Sequence, residues 1–264
     1  MYKTVIAIST LFIFSTQSTQ AIVIRHDINP DSYLADETDF PGVFNLITSP
    51  QGNRDCPVTL IAESWGVTAA HCIEALRASQ AKESDTTHPV TINGVENAVV
   101  EVVFHPTWGG QVEPSSFDLA LVRLENPVTG IPPFPLYESD RESGRIVTLV
   151  GWGGSGNGLI GVLAVEDGKF RKANNQVDEV FETALVWDFT SPDNTSQNLQ
   201  PFEGVSGPGD SGGPAFIETP EGLTLIGISS GQDDYENFPG GYGVLEYYAR
   251  ISTAVDWIKT IIQK

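Results

Sequence analysis

Between residues 40 and 250 the apolar side chains come in short runs, at 43–47, 58–62, 99–104, 119–124, 146–150, 184–187, 223–228 and 242–245, cut apart by Gly, Pro, Asn and Asp. Each run has strand length and is bounded by residues that start turns, and many such strands in succession build sandwiches or barrels rather than helical bundles or βαβ units. Helical periodicity is confined to two places. Residues 72–79 read as a short helix, and residues 252–263 put Ala254, Val255, Ile258, Ile261 and Ile262 on one face behind Ser252 as N-cap. The proline-rich stretch 127–135 reads as a connector between two halves, because successive prolines remove the amide donors that a ladder needs.

The first 21 residues have a different character. Lys3, an almost wholly apolar stretch at 5–14 and the small-x-small sequence Thr19-Gln20-Ala21 match a signal peptide. The apolar stretch is too short for a bilayer, which needs about 20 residues. The expectation is a secreted chain, extracellular or periplasmic, that begins at Ile22 and has no membrane association once the leader is removed. Two cysteines, Cys56 and Cys72, in an exported chain suggest one disulfide, the alternative being two buried thiols. A structural zinc wants four N/S ligands, and His71 beside Cys72 with one distant cysteine falls short, so no metal is expected. With 14 Lys/Arg against 34 Asp/Glu, a formal charge of −20, the chain repels polyanions, which argues against nucleic acid as a partner.

Three segments carry chemistry together: Thr68-Ala69-Ala70-His71-Cys72, Phe117-Asp118-Leu119-Ala120, and Gly207-Pro208-Gly209-Asp210-Ser211-Gly212-Gly213-Pro214. A serine hydroxyl is a weak nucleophile at neutral pH. It needs an imidazole to take its proton, and the imidazole needs a carboxylate to hold its tautomer and stabilise its cation. Ser211, His71 and Asp118 supply one each, and the amides of Gly209 and Ser211 are candidates to receive the charge that develops on a substrate oxygen. Singly, each segment has an ordinary reading as a packed histidine, a turn cap or a glycine loop. His26, His88 and His105 have no matching context and are read as structural.

Taken in this order and with these flanks, the segments resemble the chymotrypsin/trypsin family of serine endopeptidases. The resemblance runs from Ile22 to the terminal helix and includes Gly151-Trp152-Gly153, His105-Pro106-Thr107-Trp108 and Tyr248-Ala249-Arg250-Ile251. It implies an all-β fold of two antiparallel six-stranded barrels with a C-terminal helix, the first barrel spanning about 22–130 and the second about 131–250, closed by a helix at 252–263. It also implies a cleft between the barrels with His71, Asp118 and Ser211 as catalytic residues and a Cys56–Cys72 disulfide. An Ile22 ammonium would pair with Asp210, so that removal of the leader itself makes the activating end, although Ile24-Arg25 stands where the family has two glycines. Val205 and Ser206 fall at the primary specificity pocket, Ser229, Ser230 and Gly231 on the strand that receives substrate backbone, and Glu246 where a pocket glycine is common. A carboxylate there binds Arg and Lys side chains, the preference favoured from sequence, or fills the pocket and restricts it to small residues, or simply points to solvent beside Arg250.

Two look-alike patterns fail on context. Gly209-x-Ser211-x-Gly213 fits a nucleophile elbow, but that fold requires a histidine after the serine, and none follows His105. Gly151-x-Gly153-x-x-Gly156 fits a dinucleotide fingerprint without a βαβ unit around it, so it reads as a loop after a strand and no cofactor is expected. The expected partners of a monomeric chain are polypeptide substrates, with a proteinaceous inhibitor left open. The alternative reading is a catalytically silent homologue that acts as a binding protein.

Overall fold

The computed structural model describes residues 22–49, 52–79, 87–112, 116–163, 167–194, 199–233 and 238–263. The leader at 1–21 lies outside the described residues.

The punctuated apolar runs become two barrel-like sheets. One has six antiparallel strands in the order Val43–Thr48, Arg54–Ala62, Trp65–Thr68, Ala120–Leu124, Val95–Phe104, His88–Ile92. Its two outer strands are tied by the His88 ring, which bonds the Leu46 carbonyl. The other has seven, in the order Arg171–Gln176, Ile146–Gly151, Pro214–Thr219, Gly222–Asp233, Leu245–Arg250, Ala184–Asp188, Glu179–Val180. The seventh strand is the two-residue segment Glu179–Val180, which turns back onto Ala184–Asp188 and lengthens the edge beyond the six strands expected.

Two apolar clusters fill the molecule. One joins Val58, Leu60, Val67, Leu121 and Val122 of the first sheet with Phe216, Leu225, Val255 and Ile258. The second gathers Val147, Leu149, Trp187, Ala215, Ile226 and Tyr248 around Ile22, Val23 and Ile24. Residues 22–24, grouped with the first barrel on sequence, therefore belong with the second. They form a short strand paired parallel to Ser155–Asn157 and antiparallel to Gly204–Val205. The reason is their apolarity: all three are buried, and the second core offers the space.

Residues 242–244, expected in a strand, form a turn that leads into Leu245–Arg250. The terminal helix spans Val255–Ile262 with Ala254 at its N-cap, two residues later than a Ser252 cap would set it, because the Ser252 hydroxyl turns to donate to Glu142 Oε1 instead of accepting from the helix amides. Glu142 is fully buried and also holds Arg250 through two bonds, at 2.7 and 3.0 Å. The helix near Cys72 spans Ala70–Ser79, two residues longer than expected at its start.

Candidate active site

Antiparallel register brings the first two side chains together. Thr68 pairs with Ala120, so the residues just beyond each strand end, His71 and Asp118, fall side by side. The His71 amide donates to Asp118 Oδ1 at 2.9 Å, and the His71 ring Nδ1 lies 2.6 Å from Oδ2. A carboxylate only accepts, so Nδ1 carries the proton and Nε2 presents its lone pair. Asp118 is 1% exposed, whereas the His71 side chain keeps 26% of its surface, which leaves the imidazole one open face. Ser230 adds a third bond, its hydroxyl donating to Asp118 Oδ2 at 2.6 Å. A buried carboxylate is tolerable only when its oxygens are satisfied in this way.

Behind the imidazole the Cys56–Cys72 disulfide is formed. It ties the first turn of the Ala70–Ser79 helix to the strand Arg54–Ala62. The Cys72 sulfur is 4.0 Å from His71 Nε2 and 3.3 Å from the carbonyl oxygen of Ser211, so the serine loop abuts the histidine across the disulfide.

The loop itself is stitched from several sides. The Gly209 carbonyl accepts from the Cys56 amide at 2.9 Å, and Gly212 and Ser229 are joined by the Gly212 amide and the Ser229 carbonyl at 2.8 Å. Gly209 holds φ +95°, a conformation open to glycine and strained for other residues. Among the described residues, no acceptor takes the Gly209 or Ser211 amide. Opposite runs the loop 151–154, close enough that a Cβ on Gly207 would sit 1.7 Å from the Gly154 carbonyl oxygen and one on Gly153 2.6 Å from the Asp210 amide. Two glycines of the dinucleotide-like pattern, Gly151 and Gly153, thus serve close packing on Asp210, and the third, Gly156, packs on the Gly161 carbonyl.

Asp210 turns inward and is 1% exposed. It accepts from the Gly153 amide at 2.7 Å, the Gly207 amide at 2.9 Å and the backbone N–H of Ile22. Burial raises its pKa to about 6, which these three donors reduce only in part. Ile22 has φ +57°, a left-handed conformation that is costly for a β-branched residue.

The residues expected around the specificity pocket divide into three groups. Val205 is fully buried in the second apolar core, paired with Val23. Ser206, Ser229 and Glu246 form one polar network. The Ser206 amide donates to Glu246 Oε1 at 2.8 Å, and its hydroxyl lies 3.2 Å from Ser229 Oγ and 2.7 Å from the Tyr248 hydroxyl. Trp187 Nε1 donates to Glu246 Oε2 at 3.0 Å. Glu246 is 1% exposed, and burial raises its pKa to about 7. Ser230 instead faces Asp118, and Gly231 is covered by Val112 from the first half, whose Cγ1 would stand 2.9 Å from a Cβ there. Sequence reasoning missed two polar side chains, Tyr248 and Gln232. It named Ser230 without its bond to Asp118, since nothing local marks which serine of a pair faces another barrel.

Two barrel-like sheets with a histidine and a buried carboxylate on one and a glycine-bound serine on the other define a two-barrel serine hydrolase fold. The family model for trypsin matches residues 37–258, and the chain belongs to the trypsin family of serine proteases. It is 30% identical over 210 residues to an uncharacterized peptidase of Corynebacterium glutamicum, covering 78% of this chain and 64% of the relative, so the chain spans a little under two thirds of that protein. It is similar to a serine protease of Anopheles gambiae, with 29% identity over 246 residues, 88% of this chain and 80% of that protein. It is also similar to brachyurin of Leptuca pugilator, with 27% identity over 216 residues and coverage of 78% and 86%.

Proposed function

We propose that the chain is a secreted serine endopeptidase working through an acyl-enzyme. The observation that carries this reading is the hydrogen-bond chain Ser230–Asp118–His71 ending against the Ser211 loop. In the reaction Ser211 Oγ attacks the peptide carbonyl carbon while His71 Nε2 takes its proton. Asp118 stabilises the imidazolium, and the amides of Gly209 and Ser211 receive the negative oxygen. Collapse of the tetrahedral species breaks the C–N bond, His71 returns the proton to the leaving amine, and water then hydrolyses the ester by the same route. The substrates are polypeptides, and neither metal nor organic cofactor enters the scheme.

The activating end in this proposal is Ile22. In the uncut chain a peptide N–H faces Asp210, leaving a buried carboxyl without a cation. Cleavage before Ile22 turns that N–H into an ammonium and abolishes the φ angle that holds the strain, since φ needs a preceding carbonyl. Export through the leader at 1–21 would make the cut, consistent with a disulfide that an oxidising compartment keeps closed.

A fluorophosphonate probe tests the reading. The exported protein is expected to label on Ser211 and to start at Ile22. Asp118→Asn is expected to lower the labelling rate by about 10⁴, the loss known for the family's reference triad. A folded protein starting at Ile22 that leaves Ser211 unmodified would instead be the silent homologue.

A further inference from the structure

Every polar group of Ser206 is spoken for. Its amide is held by Glu246 and its hydroxyl by Tyr248, while its carbonyl accepts from Gln232 Nε2 at 2.7 Å. The other end of the same carboxamide, Gln232 Oε1, accepts from the Gly240 amide at 3.1 Å. Gln232 lies two residues beyond Ser230 on the strand Gly222–Asp233, and in register it stands directly opposite Glu246 on Leu245–Arg250. Directly opposed residues on neighbouring strands point to one face of the sheet. Both side chains therefore lean towards the segment that leads into Ser211, one bonding the Ser206 carbonyl and the other its amide. Gln232 spans the gap between the strand beside Ser230 and the Ser206 segment as a strap, and Glu246 occupies the space next to it.

We propose that Gln232 and Glu246 together set the P1 preference by filling the primary pocket, so that the enzyme accepts small P1 side chains and rejects aromatic and basic ones. This rests on the peptidase reading above. A large P1 group must evict the Gln232 carboxamide, which costs two hydrogen bonds and strips the Ser206 carbonyl of its partner. A Lys or Arg side chain gains the Glu246 carboxylate only after that eviction, because Glu246 is closed off from solvent and its oxygens already accept from Ser206 and Trp187. At 1% exposure Glu246 does not face solvent, and of its two pocket roles, filling is the one its burial supports.

The test is a set of peptide amides that differ only at P1, with Ala, Phe or Lys, compared by kcat/KM. Wild type is expected to favour Ala over Phe and Lys by at least about 10-fold, the discrimination a shaped pocket provides. Gln232→Gly is expected to raise Phe and Lys relative to Ala by a similar factor, and the gain for Lys alone to vanish in Gln232→Gly combined with Glu246→Gln. Where the glycine variant does not fold, Gln232→Asn, one methylene too short to reach both partners, is expected to widen P1 in the same sense. Wild type favouring Lys or Phe, or folded strap variants with unchanged P1 ratios, overturns the proposal while fluorophosphonate labelling of Ser211 still stands. Loss of labelling itself overturns the peptidase reading and this proposal with it.

Discussion

Asp118 and Glu246 are both buried carboxylates, yet their surroundings give them opposite work. Asp118 meets three donors, the His71 amide, the His71 ring and the Ser230 hydroxyl. Glu246 meets only neutral donors, Trp187 and Ser206, with the Tyr248 hydroxyl and the Asp210 carboxylate nearby, and burial raises its pKa to about 7. Between the ordinary carboxyl value of 4.5 and about 7, the folded protein holds this proton and the unfolded chain releases it. The native state then binds more protons, so Glu246 makes stability fall as pH rises through that window, by a few kcal/mol in all. Chemical denaturation of wild type and Glu246→Gln across pH 4–8 is expected to show the steeper decline in wild type, and parallel curves would contradict it. The three segments proposed to carry the chemistry stood out because rare flanks occur in one order. Gln232 did not, because its partners at 206 and 240 become neighbours only through the fold.

The elements that hold the serine are loops rather than strands, and their glycines were visible in sequence without their purpose. Gly207 and Gly154 meet backbone to backbone across the two loops, and a methyl group at 207 collides with a carbonyl oxygen that cannot swing aside. Gly207→Ala is expected to displace the loop and lower fluorophosphonate labelling of Ser211 by about 10², the scale on which an ångström of misplacement acts. Labelling at the wild-type rate would show the loop free to adjust. Strand positions were read well where apolar runs alternate with turn residues. Pattern misled where packing overrides it: at residues 22–24, a strand that pairs across the molecule, and at Ser252, whose hydroxyl answers Glu142 instead of capping a helix. His105, read as structural from sequence, packs between Phe117 and Trp257 with ring centroids 4.2 and 4.7 Å away.

At the scale of the whole molecule, one covalent bridge braces the half that carries His71. Cys56 and Cys72 are 16 residues apart, and closing a loop of that size stabilises a fold by about 3 kcal/mol. The double variant Cys56→Ala/Cys72→Ala is expected to lose an amount of that order in urea unfolding and to lower kcat more than it raises KM, since the imidazole's backing is removed rather than the substrate's contacts. An unchanged midpoint would mean the surrounding core holds the helix without it. The two-half layout was legible from the proline-rich connector, but the ownership of the chain ends was not. The opening strand Ile22–Ile24 lies in the core of the second half, and the final helix reaches the first through Trp257, which packs on His105. Each half thus borrows its last piece from the far end of the polypeptide. A nascent chain that has released Ser211 but not yet residues 255–262 would still lack the helix that packs Trp257 on His105.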